Sequence, residues 1–238
     1  KDNLRNLLKG RFRALKDQLG FKLPSLLKAR SRVSAAVTET LFGDDAEKDA
    51  FVYSLYADLI AGRIGPHLLE RILDTSNLFE DNRLAIYDAL DTIETTDCVE
   101  HIFIHLNRRS PPYQFECYGR RLVPVYNYLQ ASFVLQLDGR ITPNSVWTIA
   151  EHFSSQHKYS LDAHIRSLRD LLRRRLVTVN DFAKLLDVRI ETHDSTFSRA
   201  LEAIVNTNYR EIPVRTDPEG FSVDYMGILK ANKAKNRR

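Results

Sequence analysis

The sequence predicts an all-α fold of stacked antiparallel helical hairpins, with about ten helices. Three observations predict it. Apolar residues recur at helical spacing along most of the chain. Glycine and proline are few, nine and eight in 238 residues, and a chain poor in both favours helices over short strands and tight turns. The breaks between periodic segments are short, and short connections make neighbouring helices antiparallel. With 43% hydrophobic residues the chain can bury a full core, and residues 1–238 read as one helical-hairpin domain.

The first predicted helix runs from Asp2 to Leu19, with Leu4, Leu8, Phe12, Leu15 and Leu19 in one stripe. Arg5, Lys9, Arg13 and Lys16 form a basic stripe beside it. Gly20 is the expected stop. Pro24 is expected to open a second helix that ends near Gly43 and buries Val33, Ala36, Val37 and Leu41. A third, from Ala46 to Ile64, shows a broad apolar face of Phe51, Val52, Leu55, Tyr56, Leu59 and Ile60, wide enough to meet two neighbours. Gly65-Pro66 breaks it, and a short fourth helix follows from His67 to Leu73. A fifth carries Leu84, Ile86, Ala89, Leu90 and Ile93; a sixth, capped by Asp97, carries Val99, Ile102, Phe103 and Leu106.

Residues 107–121 form the longest break, because Pro111-Pro112 cannot continue a helix. A helix is then expected from Leu122 to Leu137, and Asp138-Gly139-Arg140 turns the chain. Thr142-Pro143 reads as cap and first position of a helix through Phe153. Ser160 opens the next, whose Leu161, Ile165, Leu168, Leu172 and Leu176 share one face. Thr178 or Asn180 caps a helix holding Phe182, Leu185 and Leu186. Another spans Thr196 to Asn208, and the basic end at 230–238 reads as a frayed tail.

Charge is segregated. Residues 1–42 carry ten Lys/Arg and three Asp/Glu, residues 43–105 four and fourteen, and residues 106–177 eleven and five. Opposite blocks can pair within the fold or offer surfaces to partners. Two cysteines, Cys98 and Cys117, cannot build a disulfide framework and point to a reducing compartment. No stretch approaches 18 apolar residues, so no membrane span is expected. The chain starts at Lys1 without Met or a signal-peptide apolar run, as a piece of a longer protein would.

Catalytic patterns are missing from the sequence. There is no glycine-rich phosphate loop, no Gly-x-Ser-x-Gly elbow and no His-Glu-x-x-His. Cys98, His101 and His105, with Cys117, have the donor types of a zinc site; on a helix the histidines would lie off the apolar face, so no metal is expected. Glu151 and His152 are adjacent and point about 100° apart, too divergent for an acid/base pair. No cofactor, catalytic residue or small-molecule substrate is expected. The candidate interaction surface is Arg5, Lys9, Arg13 and Lys16; Arg108, Arg109 and Tyr113 in the arginine-aromatic loop; and Arg166, Arg169 and Arg173. Arginine beside aromatics suits unpaired bases and phosphates, so a helical RNA-binding domain is the alternative reading.

Residues 129–207 resemble a region of the large scaffold subunit of the eukaryotic CCR–NOT mRNA deadenylase complex. The resemblance rests on Asp138-Gly139-Arg140, Lys158-Tyr159-Ser160, the basic helix end from Arg173 to Val177, and Asn180-Asp181-Phe182. It implies a HEAT-like array of the MIF4G type and a non-enzymatic scaffold in mRNA decay and translational repression. It further implies partners among the subunits or regulators of that complex, in the cytoplasm and also the nucleus; weak RNA contact is expected from the arginine-aromatic loop instead.

Overall fold

The computed structural model describes the backbone of residues 2–188, 195–207, 209 and 212–235, and the side chains of 16–188, 196–207, 209 and 212–232. The described residues are mostly helical, in eleven helices, but a small three-stranded parallel sheet interrupts them. The fold is therefore helix-rich rather than all-α. Two compact units form: unit 1 from residues 1–124 and 219–238, and unit 2 from 125–218.

In unit 1, α1 (Asp2–Arg30) leads to β1 (Glu39–Asp44), then α2 (Asp49–Ile60), α3 (Pro66–Thr75), α4 (Glu80–Leu90) and β2 (Val99–His105). A 3-10 helix (Pro112–Tyr118) and β3 (Leu122–Val125) follow. The sheet order is β1-β2-β3, and β1 pairs with β2 in parallel, Leu41 opposite Ile102 and Asp44 opposite His105. Parallel neighbours need a crossover, which α2, α3 and α4 supply.

Four expectations change here. The helix expected to stop at Gly20 runs on through Gly20 and Pro24 to Arg30. Gly20 marks a close approach to α4, since a Cβ there would lie 2.5 Å from Asn82 Nδ2. The segment expected to be helical up to Gly43 instead leaves Val33, Ala36 and Val37 exposed and becomes β1. Val99–His105 forms a strand, not a sixth helix: Val-Glu-His-Ile-Phe-Ile-His is rich in β-branched and aromatic side chains. The stretch from Leu122, also expected to start a helix, begins as β3.

The broad face predicted on α2 is buried, and so is almost all of that helix. It packs against α1, β1 and β2. Asp58 is one of the polar groups buried here, with Asp49 and Ser54 on the same helix. One Asp58 carboxylate oxygen accepts from Arg63 and Arg121, at 3.2 Å each; the other accepts the hydroxyl of Tyr225 at 2.6 Å. Tyr225 opens α10 (Tyr225–Lys235) and meets Phe51 edge-on at 5.6 Å. The tail expected to fray from residue 230 is helical as far as Lys235; residues 236–238 lie outside the described residues. On α4 Ile86 is buried, whereas Leu84 is exposed.

Unit 2 contains α5 (Tyr128–Leu137), α6 (Pro143–Gln156), α7 (Leu161–Arg173), α8 (Val179–Asp187) and α9 (Ser195–Val205). The side chains of Asn127, Thr142, Ser160 and Thr178 each accept a backbone N–H three residues on; the last three mark helix starts expected from the sequence, whereas the helix that Asn127 caps is the one expected from Leu122. Thr178 and Asp181 complete a capping box. Asn208, the expected end of the last helix here, lies outside the described residues. Trp147, Phe133, Leu168, Phe182 and Phe197 are fully or almost fully buried in one core.

The inward face of α7 is rotated from the expected stripe. His164, Ser167, Leu168 and Leu171 are buried, while Leu161, Ile165, Leu172 and Leu176 are half-buried. A polar seam with α5 draws the helix round. Asn127 Nδ2 donates to Ser167 Oγ at 3.1 Å. The fully buried Gln130 donates to the Ser167 carbonyl and to Asp170, each at 3.1 Å. Arg174 closes the seam on Asp170 and Gln130. Buried polar groups are tolerated when they are paired.

Candidate functional site

In open parallel sheets the crevice outside the carboxyl ends of the strands is where ligands bind. In unit 1 the carboxyl end of β1 is Gly43-Asp44, followed by Asp45, Glu47 and Asp49 before and at the start of α2. Lys22, two residues after Gly20 on α1, reaches this corner and pairs with both Glu47 and Asp49. Asp49 is 6% exposed, Lys22 20% and Glu47 44%, so the group passes from core to solvent. Burial disfavours the Lys22 ammonium, but its bonds to Asp49 and Glu47 outweigh that and raise its pKa above the usual lysine value. Lys22 is a fixed cation.

The turn is built to hold these groups. Asp44 Oδ1 accepts the N–H of Ala46 at 2.8 Å and of Glu47 at 3.0 Å. Asp49 Oδ2 accepts the N–H of Asp44 at 3.1 Å. Gly43 leaves room for Asp49, because a Cβ there would lie 2.5 Å from the Asp49 Cβ. Tyr53 borders the corner, with Lys22 Nζ 6.0 Å from its ring centroid. Its hydroxyl pKa is raised by burial and then by the charge of Asp49.

Asp45 turns to the neighbouring loop. Its carboxylate accepts the N–H of Arg108 at 2.8 Å and of Ser110 at 3.0 Å. Burial alone would raise its pKa, but these two bonds lower it below the usual carboxylate value. The loop after β2 is thereby fastened to the loop after β1. Arg109, between the two donors, has φ 57°.

The predicted interaction residues are divided between unit 1 and unit 2. The side chains of Arg5, Lys9 and Arg13 lie outside the described residues. Lys16 Nζ sits 3.2 Å from the centroid of the Phe79 ring, a cation–π contact within unit 1. Arg108, Arg109 and Tyr113 are exposed in the segment after β2. Arg166, Arg169 and Arg173 are exposed on α7 in unit 2, and Arg173 pairs with Asp170 at 2.6 Å. Cys98, His101 and His105 fall on and beside a strand, and Cys117 is on the 3-10 helix. Among the described residues no three His, Cys, Asp or Glu side chains converge as metal ligands.

Sequence reading missed Lys22 and the 44–49 turn. Lys22 is more than twenty residues upstream of its partners, and no phosphate-loop pattern links them. The available signal was Thr-Glu-Thr-Leu-Phe-Gly-Asp-Asp, a β-branched and apolar run ending in Gly and acids, which reads as a strand and its carboxyl-end turn.

Fold and site together define a helix-rich chain whose α/β unit gathers a lysine and carboxylates at the carboxyl end of a parallel strand. No family model, curated protein or solved structure matches the chain.

Proposed function

We propose that unit 1 binds a small phosphorylated ligand, together with a divalent cation such as Mg²⁺, at the carboxyl end of β1. The observation that carries this reading is the meeting of Lys22, Glu47 and Asp49 at that strand end. Lys22 with two carboxylates has a net charge of −1, so a bare phosphate would be repelled. A divalent cation removes the repulsion. Mg²⁺ is commonly held by one or two carboxylates plus the phosphates of its ligand, so it does not require a closed protein cage. Lys22 then serves as a point charge toward phosphate. The reading is one of binding and assigns no reaction.

Calorimetric titration of the full chain with inorganic phosphate, with and without Mg²⁺, tests it. Binding should need Mg²⁺ and be lost in Lys22→Ala and Asp49→Asn. Binding that is indifferent to both substitutions would refute it.

A second reading concerns unit 2. The stretch 129–207 that resembles the deadenylase scaffold falls within this helical unit, and α5–α9 are the hairpin-forming part of the chain. We propose for it a HEAT-like, MIF4G-type interaction role in mRNA decay, non-enzymatic, with a subunit or regulator of that complex as partner and a cytoplasmic and nuclear setting. The exposed arginines of α7 favour weak RNA contact as a variant of this reading. Pull-down of deadenylase subunits by the full chain, beside titration with single-stranded RNA at two salt concentrations, separates the two. A strong fall of RNA affinity with salt would favour RNA; subunit capture without RNA binding would favour the scaffold.

A further inference from the structure

Unit 2 carries an open cleft of about 460 Å³ between the start of α8 and the turn after α9, within the span of about 300–1,000 Å³ usual for small-molecule sites. Val179, Ala183 and Val205 supply its apolar lining. Asn180, on α8, and Asn206, just past the end of α9, line it from the two elements, and both are exposed. Tyr209 completes it. Among the described residues no Asp, Glu, Lys or Arg lines the cleft.

The segments that carry these groups are fixed. Thr207 Oγ1 donates to the Ala203 carbonyl at 2.6 Å. The Thr207 N–H donates to the Ile204 carbonyl at 3.1 Å, and the Tyr209 N–H to the Thr207 carbonyl at 2.7 Å. Tyr209 is half-buried and packs against the unit 2 core, so its ring is held in place. On the other side, the Thr178–Asp181 capping box fixes the first turn of α8, which contains Val179 and Asn180.

The lining selects a chemistry. A phosphate or carboxylate finds no cation in it, and an amine finds no carboxylate. An asparagine amide carries donors and an acceptor in one plane, and base edges present the same donor-beside-acceptor pattern, which asparagine can meet with both atoms. A tyrosine ring is a face on which an unpaired base stacks. A planar, uncharged group with hydrogen-bonding edges therefore suits the cleft.

We infer that this cleft takes one unpaired nucleobase of a single-stranded RNA, with the base face on Tyr209 and its edge on Asn180 and Asn206. The inference deepens the RNA-contact variant of the unit 2 reading and rests on it.

The test measures binding of the full chain to a short single-stranded RNA of mixed sequence and to an abasic ribose-phosphate oligomer of the same length, by fluorescence anisotropy at one salt concentration. Wild-type protein should bind the RNA about tenfold or more tighter than the abasic oligomer, the gain from one stacked base. Tyr209→Ala should remove that preference, and Tyr209→Phe, which keeps the ring, should retain it. The double variant Asn180→Ala/Asn206→Ala changes only exposed side chains and should weaken RNA binding while leaving binding of the abasic oligomer unchanged. RNA that binds no better than the abasic oligomer, or a preference indifferent to both Tyr209→Ala and the asparagine pair, would overturn this inference and leave RNA contact through the backbone standing. Failure of wild-type protein to bind RNA at all would overturn both.

Discussion

Leu168→Ala tests the packing of unit 2. Leu168 is fully buried on the inward face of α7, in the core that contains Trp147, Phe182 and Phe197. Truncation removes about three carbon groups from burial, worth about 2 kcal/mol at about 0.8 kcal/mol per methylene. A residual cavity of about 50–100 Å³ adds about 1–2.5 kcal/mol at about 24 cal/mol per Å³. The expected loss is about 3–4.5 kcal/mol. Arg169, the next residue, is exposed, and Arg169→Ala should cost under about 0.5 kcal/mol. The assay is urea unfolding followed by tryptophan fluorescence. Trp147 is the single tryptophan and lies in this core, so the signal reports unit 2. At about 1–2 kcal/mol per M of urea, the Leu168→Ala midpoint should fall by at least about 1.5 M, and that of Arg169→Ala should barely move. A neutral Leu168→Ala beside a destabilised Arg169→Ala would show that α7 presents the opposite face to the core.

Other outcomes follow from the same geometry. Tyr225→Phe removes a buried hydrogen bond to the Asp58 carboxylate and should cost unit 1 about 1.5–3 kcal/mol, read as a lower unfolding midpoint by circular dichroism. Burial, and then the charge of Asp58, raise the Tyr225 hydroxyl pKa. The folded state therefore keeps a neutral phenol that the unfolded state ionises near pH 10; this stabilisation is present below pH 10 and declines as pH rises, and Tyr225→Phe should show a shallower alkaline loss. Asp45 behaves in the opposite sense. Its folded pKa is lowered, so its contribution is present above about pH 4 and disappears as pH falls through the folded value; Asp45→Asn should be less stable at neutral pH and show a smaller acid dependence. Gly43→Ala would push a methyl onto Asp49, costing about 1–3 kcal/mol in urea unfolding and weakening phosphate binding.

Unit 2 was legible because its signals are local. Thr142-Pro143, Ser160 and Thr178 announce helix starts by capping chemistry, and their helices begin there; Asn127 caps α5, the helix expected from Leu122. What periodicity did not reveal was the rotation of α7, because Ser167 and His164 are buried through partners on other helices. Unit 1 was harder. Thr40-Leu41-Phe42 and Val99 to His105 are too short for a helical and a strand pattern to be told apart by periodicity, and their pairing spans about sixty residues. α1 hid for another reason: Gly20 and Pro24 look like punctuation, yet tertiary packing carries the helix past both. The site was illegible for the same reason as the sheet. Lys22, Asp49 and the Arg108 loop come together only once β1 and β2 pair.

The most direct test of the phosphate-site reading is amide chemical-shift mapping of the full chain during titration with phosphate and Mg²⁺. The reading predicts shifts concentrated at Lys22 and residues 43–49, saturating together, and abolished by Lys22→Ala. Shifts confined to other parts of the chain, or unchanged by Lys22→Ala, would contradict it.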